Sequence, residues 1–215
     1  IKYLIVGGDI VDGIGIYPKQ EEELVVRDIY KQYEIFSDLM EQIPDYIKII
    51  SIPGNHDAVR RAQPQPAIPE ELLKGKIINL GSPSWVDIEG FKHLLYHGDS
   101  LDSIISALPT CDYFHPEIPM IELLKRRNLS PIYGKNVIVP EPKDYLMIDE
   151  VPDILHMGHI HKNGYSFYRG THVINSGTFQ DITDNQLKQG HTPTPGIVPI
   201  LSLRTGDVLH KKFVS

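Results

Sequence analysis

Four short apolar runs set the terms for this chain: Tyr3–Val6, Ile47–Ile52, Leu94–Tyr96 and Ile154–Met157. Each has the length and aliphatic content of a buried strand. Each runs straight into a tight turn bearing glycine together with Asp, Asn or His: Gly8-Asp9-Ile10-Val11-Asp12, Gly54-Asn55-His56-Asp57, Tyr96-His97-Gly98 and Gly158-His159-Ile160-His161. Polar side chains on turns at the ends of sheet strands are held by a rigid scaffold, which is how a fold keeps a charged cluster in place. The mixture of carboxylate, amide oxygen and imidazole suits Mn²⁺, Fe or Zn²⁺ better than Ca²⁺ or Mg²⁺ alone. The pattern predicts that the four turns converge on a pair of divalent ions.

The remainder of the chain predicts an α/β sandwich. After the first strand and a Gly-rich turn over 7–15, apolar residues Val25, Ile29, Phe36, Leu39, Met40 and Ile43 recur at three- and four-residue steps, predicting a helix over 24–43. Arg60–Pro69, with three prolines, reads as an extended surface loop. Ser84–Tyr96, broken at Glu89-Gly90, reads as a hairpin, as do the runs flanking Arg169-Gly170-Thr171 and Thr205-Gly206. Helices are expected over 101–108 and 117–128. Strands alternating with helices, followed by hairpins, point to mixed sheets with helices on their outer faces.

Composition limits the functional classes. At 215 residues the chain is long enough for one substantial core and is expected to form a single domain over 1–215. The formal charge of −7 is the wrong sign for nucleic-acid binding through the overall field, although bound divalent ions reverse it locally. Arg60-Arg61 and Lys125-Arg126-Arg127 read as solvated surface rather than phosphate clamps. No apolar run approaches the roughly 18–20 residues of a membrane helix and the N-terminus has no signal-peptide layout, so no membrane partner is expected. The single cysteine, Cys111, excludes an internal disulfide framework and fits a reducing compartment, predicting a cytoplasmic protein. The first residue is Ile1, and a strand begins at once, so the chain is expected to be a C-terminal piece of a longer protein.

Taken singly, the site residues carry different weight. Asp9, after a Gly-Gly pair, is placed to bridge two cations through its two oxygens. Asp12 is too close in sequence for an independent site; it either orients a catalytic imidazole or serves as turn or cap chemistry. In Asn55-His56-Asp57, Asn55 supplies a neutral oxygen and His56 points elsewhere, so one faces metal and the other substrate, against the alternative of an Asx turn with an exposed His. His159 and His161, one residue apart, fall on one side of an extended segment and reach one cluster. His97 is weak alone. The other histidines, His93, His115, His156, His172, His191 and His210, lack the strand-end setting and are taken as structural.

In combination, Gly8-Asp9-x-x-Asp12, Gly54-Asn55-His56-Asp57, His97-Gly98 and Gly158-His159-x-His161 resemble four of the five motifs of the calcineurin-like metallophosphoesterases. The resemblance implies that fold, a sandwich of two mixed β-sheets flanked by helices, and hydrolysis assisted by two divalent metal ions. It implies that Asp9 bridges the ions, that Asn55, His97 and His159 bind the second, and that His161 binds the first. It gives His56 the task of protonating the leaving oxygen or stabilising developing charge, with Asp12 holding it. The family's first motif, Asp-x-His on a preceding strand, is not in this sequence, which leaves the first ion with two protein ligands. Gly7–Pro18, Pro53–Arg60 and Asn175–Gln180 are further similar to the small subunits of archaeal family-D DNA polymerases. That likeness implies a 3′→5′ exonuclease acting on DNA with 3′ ends beside a large catalytic polymerase subunit. Two other readings share the residues: a non-catalytic scaffold subunit, against which the intact site residues stand, and a phosphatase of small molecules or phosphoproteins, disfavoured only by the flanking likeness.

Overall fold

A computed structural model describes residues 1–183, 186–187 and 190–213. Two sheets face each other. The smaller contains β1 (Tyr3–Val6), β2 (Lys48–Ser51) and β3 (Ile77–Asn79) in that order, all parallel. The larger holds β4 (Ser84–Ile88), β5 (Phe91–Leu95), β6 (Ile154–Met157), β8 (Thr171–Ser176) and β7 (Asn163–Tyr168), with β5, β6 and β8 parallel and the two flanking hairpin partners antiparallel. β9 (Ile197–Leu201) and β10 (Val208–Lys212) form a separate hairpin. The expected sandwich is present, but only the larger sheet is mixed, and the last hairpin joins neither sheet.

Alternation along the strands builds the layers, because successive side chains point to opposite faces. On β5, Leu95 packs with Ile50, Ile52 and Ile88 between the sheets. Leu94 turns to the other face and joins Leu155, Met157 and Val173, which are covered by Leu101 and Ile104 of α3 (Leu101–Ala107) and by Met120 and Leu123 of α4 (Glu117–Arg126). Residues of this kind, withdrawn completely from water, contribute about 1.5–3 kcal/mol each.

The predicted helix over 24–43 is shorter than expected, and a separate turn of helix precedes it. α1 is the single turn Gln20–Glu23, and α2 runs Ile29–Glu41 from an Asp28 cap whose carboxylate accepts from Tyr30 and Lys31 backbone N–H at 2.9 and 3.2 Å. Its buried residues are Gln32, Tyr33 and Ser37; of the predicted stripe, Val25 is 96% and Leu39 53% exposed. The buried side is semi-polar because it ties down loops. Gln32 brackets the Gly-rich turn, accepting from Gly13 N–H (3.0 Å) and donating to the Gly13 (3.2 Å) and Val26 (2.8 Å) carbonyls.

The basic runs read as surface residues do elsewhere. Arg60 bonds Glu141 and the Pro64 carbonyl, Lys125 and Arg126 pair with Glu122, and Arg127 caps the Ile148 and Asp149 carbonyls. No helix among the described residues is long and apolar enough to cross a membrane.

Candidate metal centre

Because β1 and β2 are parallel, as are β5, β6 and β8, the turns that follow them emerge at the carboxyl ends of their sheets, where open α/β sheets form crevices. There they bring together Asp9 after β1, Asn55 after β2, His97 after β5 and His159 after β6. His97 Nε2 lies 3.2 Å from Asp9 Oδ2 and 3.1 Å from Asn55 Oδ1. His159 Nδ1 lies 3.0 Å from Asn55 Oδ1 and 3.3 Å from His97 Nε2. The ligand atoms of Asp9, His97 and His159 fall within 4.8 Å of one another.

The approach is close enough to dictate the backbone. A Cβ on Gly54 would stand 2.2 Å from Asp9 Oδ1, and one on Gly8 (φ +94°) 2.5 Å from His97 Nδ1. Asp9 (φ 51°) and His159 (φ 52°) both occupy the left-handed region, at a cost of about 1–3 kcal/mol each, which persists only where the surroundings over-determine it.

The donor chemistry fits a cation. His97 Nδ1 is 2.8 Å from the Gly7 carbonyl, an acceptor, so that nitrogen carries a proton and Nε2 faces the cluster with a lone pair. His159 Nε2 is 3.0 Å from Asp102 Oδ2, which likewise leaves Nδ1 with a lone pair facing inward. The carboxylate Oδ2 of Asp9 and the amide oxygen of Asn55 are acceptors too. Four lone pairs converging without a donor require a positive charge among them. The protonation equilibria carry the same message. Burial pushes the His97 imidazole down, but the charge and hydrogen bond of Asp9 outweigh it and hold the pKa up at about 10. Burial pushes Asp9 up, yet His97, followed by His56, keeps it well below the carboxylate range. A proton thus stands where a cation fits.

A cleft of about 580 Å³ opens beside the cluster, lined by Asp9, Asn55, His56, His159 and His161 among others. His161 sits apart from the four converging atoms; its Nδ1 meets the Gln186 side-chain amide at 2.6 Å, and burial lowers its pKa to about 4, leaving the ring neutral. His56 Nε2 is 4.0 Å from Asp9 Oδ2, and the His56 N–H donates to Asp9 Oδ1 at 2.8 Å.

Asp12 departs from expectation. The group that meets His56 Nδ1, at 2.8 Å, is the Asp12 main-chain carbonyl, which also accepts from Gln20 Nε2 at 2.7 Å. The Asp12 carboxylate turns away and accepts from Gln180 Nε2 at 2.6 Å. The turn after Asp9 presents its peptide oxygen inward, so the carboxylate is not what orients this imidazole.

Three residues were not singled out from the sequence. Asp57, 5% exposed, pins the second turn: it accepts from Gly54 N–H (2.8 Å) and Tyr33 OH (3.1 Å), and burial together with Asp9 raises its pKa to about 7. Asp102, on the first turn of α3, backs His159. His191, read as structural, lines the cleft with its ring 4.4 Å from that of Tyr113.

A family model described as calcineurin-like phosphoesterase matches residues 1–195. The DNA polymerase II small subunit of Archaeoglobus fulgidus is 51% identical over 99% of this chain, and that of Methanocaldococcus jannaschii is 50% identical over 98%. The chain spans less than half the length of these curated relatives, 44% and 36% respectively. Among solved structures, an archaeal phosphodiesterase aligns over 98% of this chain and 99% of its own with a TM-score of 0.43 at 14% identity, a likeness too distant to carry weight. Homologous over nearly its whole length to archaeal DNA polymerase II small subunits and matched by the family model over residues 1–195, the chain belongs to the calcineurin-like phosphoesterase family.

Proposed function

We propose that this site binds two divalent ions, Mn²⁺ by preference, and hydrolyses phosphodiester bonds at DNA 3′ ends as the proofreading exonuclease of a replicative polymerase, beside a large catalytic subunit. The observation that carries the reading is the convergence of Asp9, Asn55, His97 and His159 with inward lone pairs at the edge of an open cleft. The DNA substrate and the large-subunit partner are supported by the similarity to relatives named as polymerase small subunits. Such ions supply, when bound, the positive charge that activates water and neutralises phosphate oxygens.

The chain's own residues divide the remaining work. Asn55, His97 and His159 would hold one ion and His161 the other, with Asp9 shared between them. His56 stands outside the four converging atoms, its Nε2 4.0 Å from Asp9 Oδ2, and the Asp12 carbonyl on its Nδ1 turns that Nε2 toward the substrate. Protonated there, it stabilises charge on a phosphate oxygen or delivers a proton to the leaving oxygen. Asp12 acts through its peptide oxygen, and its carboxylate steadies Gln180.

The test is incubation of the full-length protein with Mn²⁺ and a 3′-labelled mismatched primer-template, alongside a phosphomonoester. Metal-dependent release of 3′ nucleotides supports the proposal. Hydrolysis of the monoester alone favours a phosphatase, and silence on both, with metal bound, favours a scaffold.

A further inference from the structure

The two imidazoles of the metal centre are held from behind by different chemistry. His97 is backed by a neutral group, the Gly7 carbonyl at 2.8 Å, whereas His159 is backed by a carboxylate, Asp102 Oδ2 at 3.0 Å from Nε2. The other oxygen, Asp102 Oδ1, accepts from Tyr113 OH at 3.0 Å, and the Tyr113 ring rests against His191 with centroids 4.4 Å apart. Asp102 is rooted on α3 between Leu101 and Ile104, both wholly buried, so its backbone position is rigid. The turn bearing His159 passes close by: a Cβ on Gly98 would lie 3.2 Å from His159 Cβ and 3.1 Å from Leu101 Cδ1.

We infer that Asp102, braced by Tyr113, is a positioning residue that presents His159 Nδ1 to a divalent ion and sets how tightly that ion is held. The inference rests on the metal reading above. By accepting the Nε2 proton, Asp102 selects the tautomer whose free lone pair is on Nδ1, the atom 3.0 Å from Asn55 Oδ1. A carboxylate behind an imidazole also makes the ligand nitrogen more basic, and removing such a partner weakens metal binding about 10–100-fold. The His159 backbone is already strained, so the ring direction depends on its side-chain partners. At 53% exposure, the Asp102 side chain can be exchanged for an isosteric amide without opening a cavity.

The experiment is Mn²⁺ titration calorimetry on full-length wild-type, Asp102→Asn and Tyr113→Phe proteins. It is paired with visible spectra of the Co²⁺-substituted forms and melting of the metal-free forms. Asp102→Asn is expected to weaken one ion about 10–100-fold, alter the Co²⁺ ligand-field bands and leave the metal-free melting temperature unchanged. Tyr113→Phe, which keeps the carboxylate but frees it to rotate, is expected to cost only a few-fold. Wild-type affinity in Asp102→Asn overturns the inference and leaves the proposed function standing. A weakening matched by loss of metal-free stability, with unchanged Co²⁺ bands, also overturns it, because Asp102 is then merely structural. Failure of the wild type to bind any divalent ion overturns both.

Discussion

Metal binding at this site is expected to be a proton exchange, and His97 sets its size. In the metal-free protein the His97 imidazole is held up at about 10 by Asp9 despite its burial, so the ring is protonated at neutral pH. A metal ion needs the neutral ring, so the proton must leave as the ion arrives. Three pH units separate about 10 from pH 7, and at ~1.36 kcal/mol per unit the displaced proton costs roughly 4 kcal/mol of intrinsic affinity at pH 7. That cost shrinks as pH rises, so the apparent dissociation constant should fall about tenfold per pH unit between 7 and 9. His159 is raised as well, by Asp102 against its burial, so proton release should grow further toward acid pH. Titration calorimetry in pairs of buffers with different ionisation enthalpies, at pH 6.5, 7.5 and 8.5, measures protons released per ion. At least one proton per protein at pH 7.5, released with the ion that His97 holds, is expected. A dissociation constant flat across this range, with no proton released, would refute the coupling of Asp9 and His97 on which the metal reading depends.

Further outcomes follow from the same geometry. His56→Ala should abolish hydrolysis while elemental analysis still finds both ions; a variant stripped of metal would make His56 a ligand. Asp12→Asn should lower turnover only a few-fold and leave metal content intact, since the atom on His56 is a peptide oxygen; loss of activity no smaller than that of Asp9→Asn, together with metal loss, would contradict this. Gly54→Ala should destabilise the protein by about 1–3 kcal/mol and impair metal binding, because its Cβ would meet Asp9 Oδ1 at 2.2 Å; wild-type melting and affinity would show that the two turns are not packed this tightly.

What was legible in the sequence was the part written locally. An apolar run followed by glycine and a metal-binding side chain announces its strand and its turn, and the parallel order of the strands gathers Asp9, Asn55, His97 and His159 at one edge. The helix expected over 24–43 starts late because apolar spacing alone does not mark its beginning, whereas the Asp28 carboxylate caps α2 at Ile29. Its core-facing residue Tyr33 is turned inward as much by Asp57 as by Val11 and Ile68. Asp102 was illegible for a different reason: an acid in the first turn of a helix is ordinary surface chemistry, and its contact lies 57 residues away. Asp12 shows a further limit, since spacing identifies a residue near His56 but not whether its carboxylate or its peptide oxygen does the holding.

The most direct measurement of the central claim is anomalous diffraction at the manganese edge from crystals of the full-length protein equilibrated with Mn²⁺. The predicted result is a peak about 2–2.3 Å from Asp9 Oδ2, Asn55 Oδ1, His97 Nε2 and His159 Nδ1 together, with a second beside Asp9 and His161. Peaks only elsewhere on the molecule, with these four atoms still in contact with one another, would contradict it.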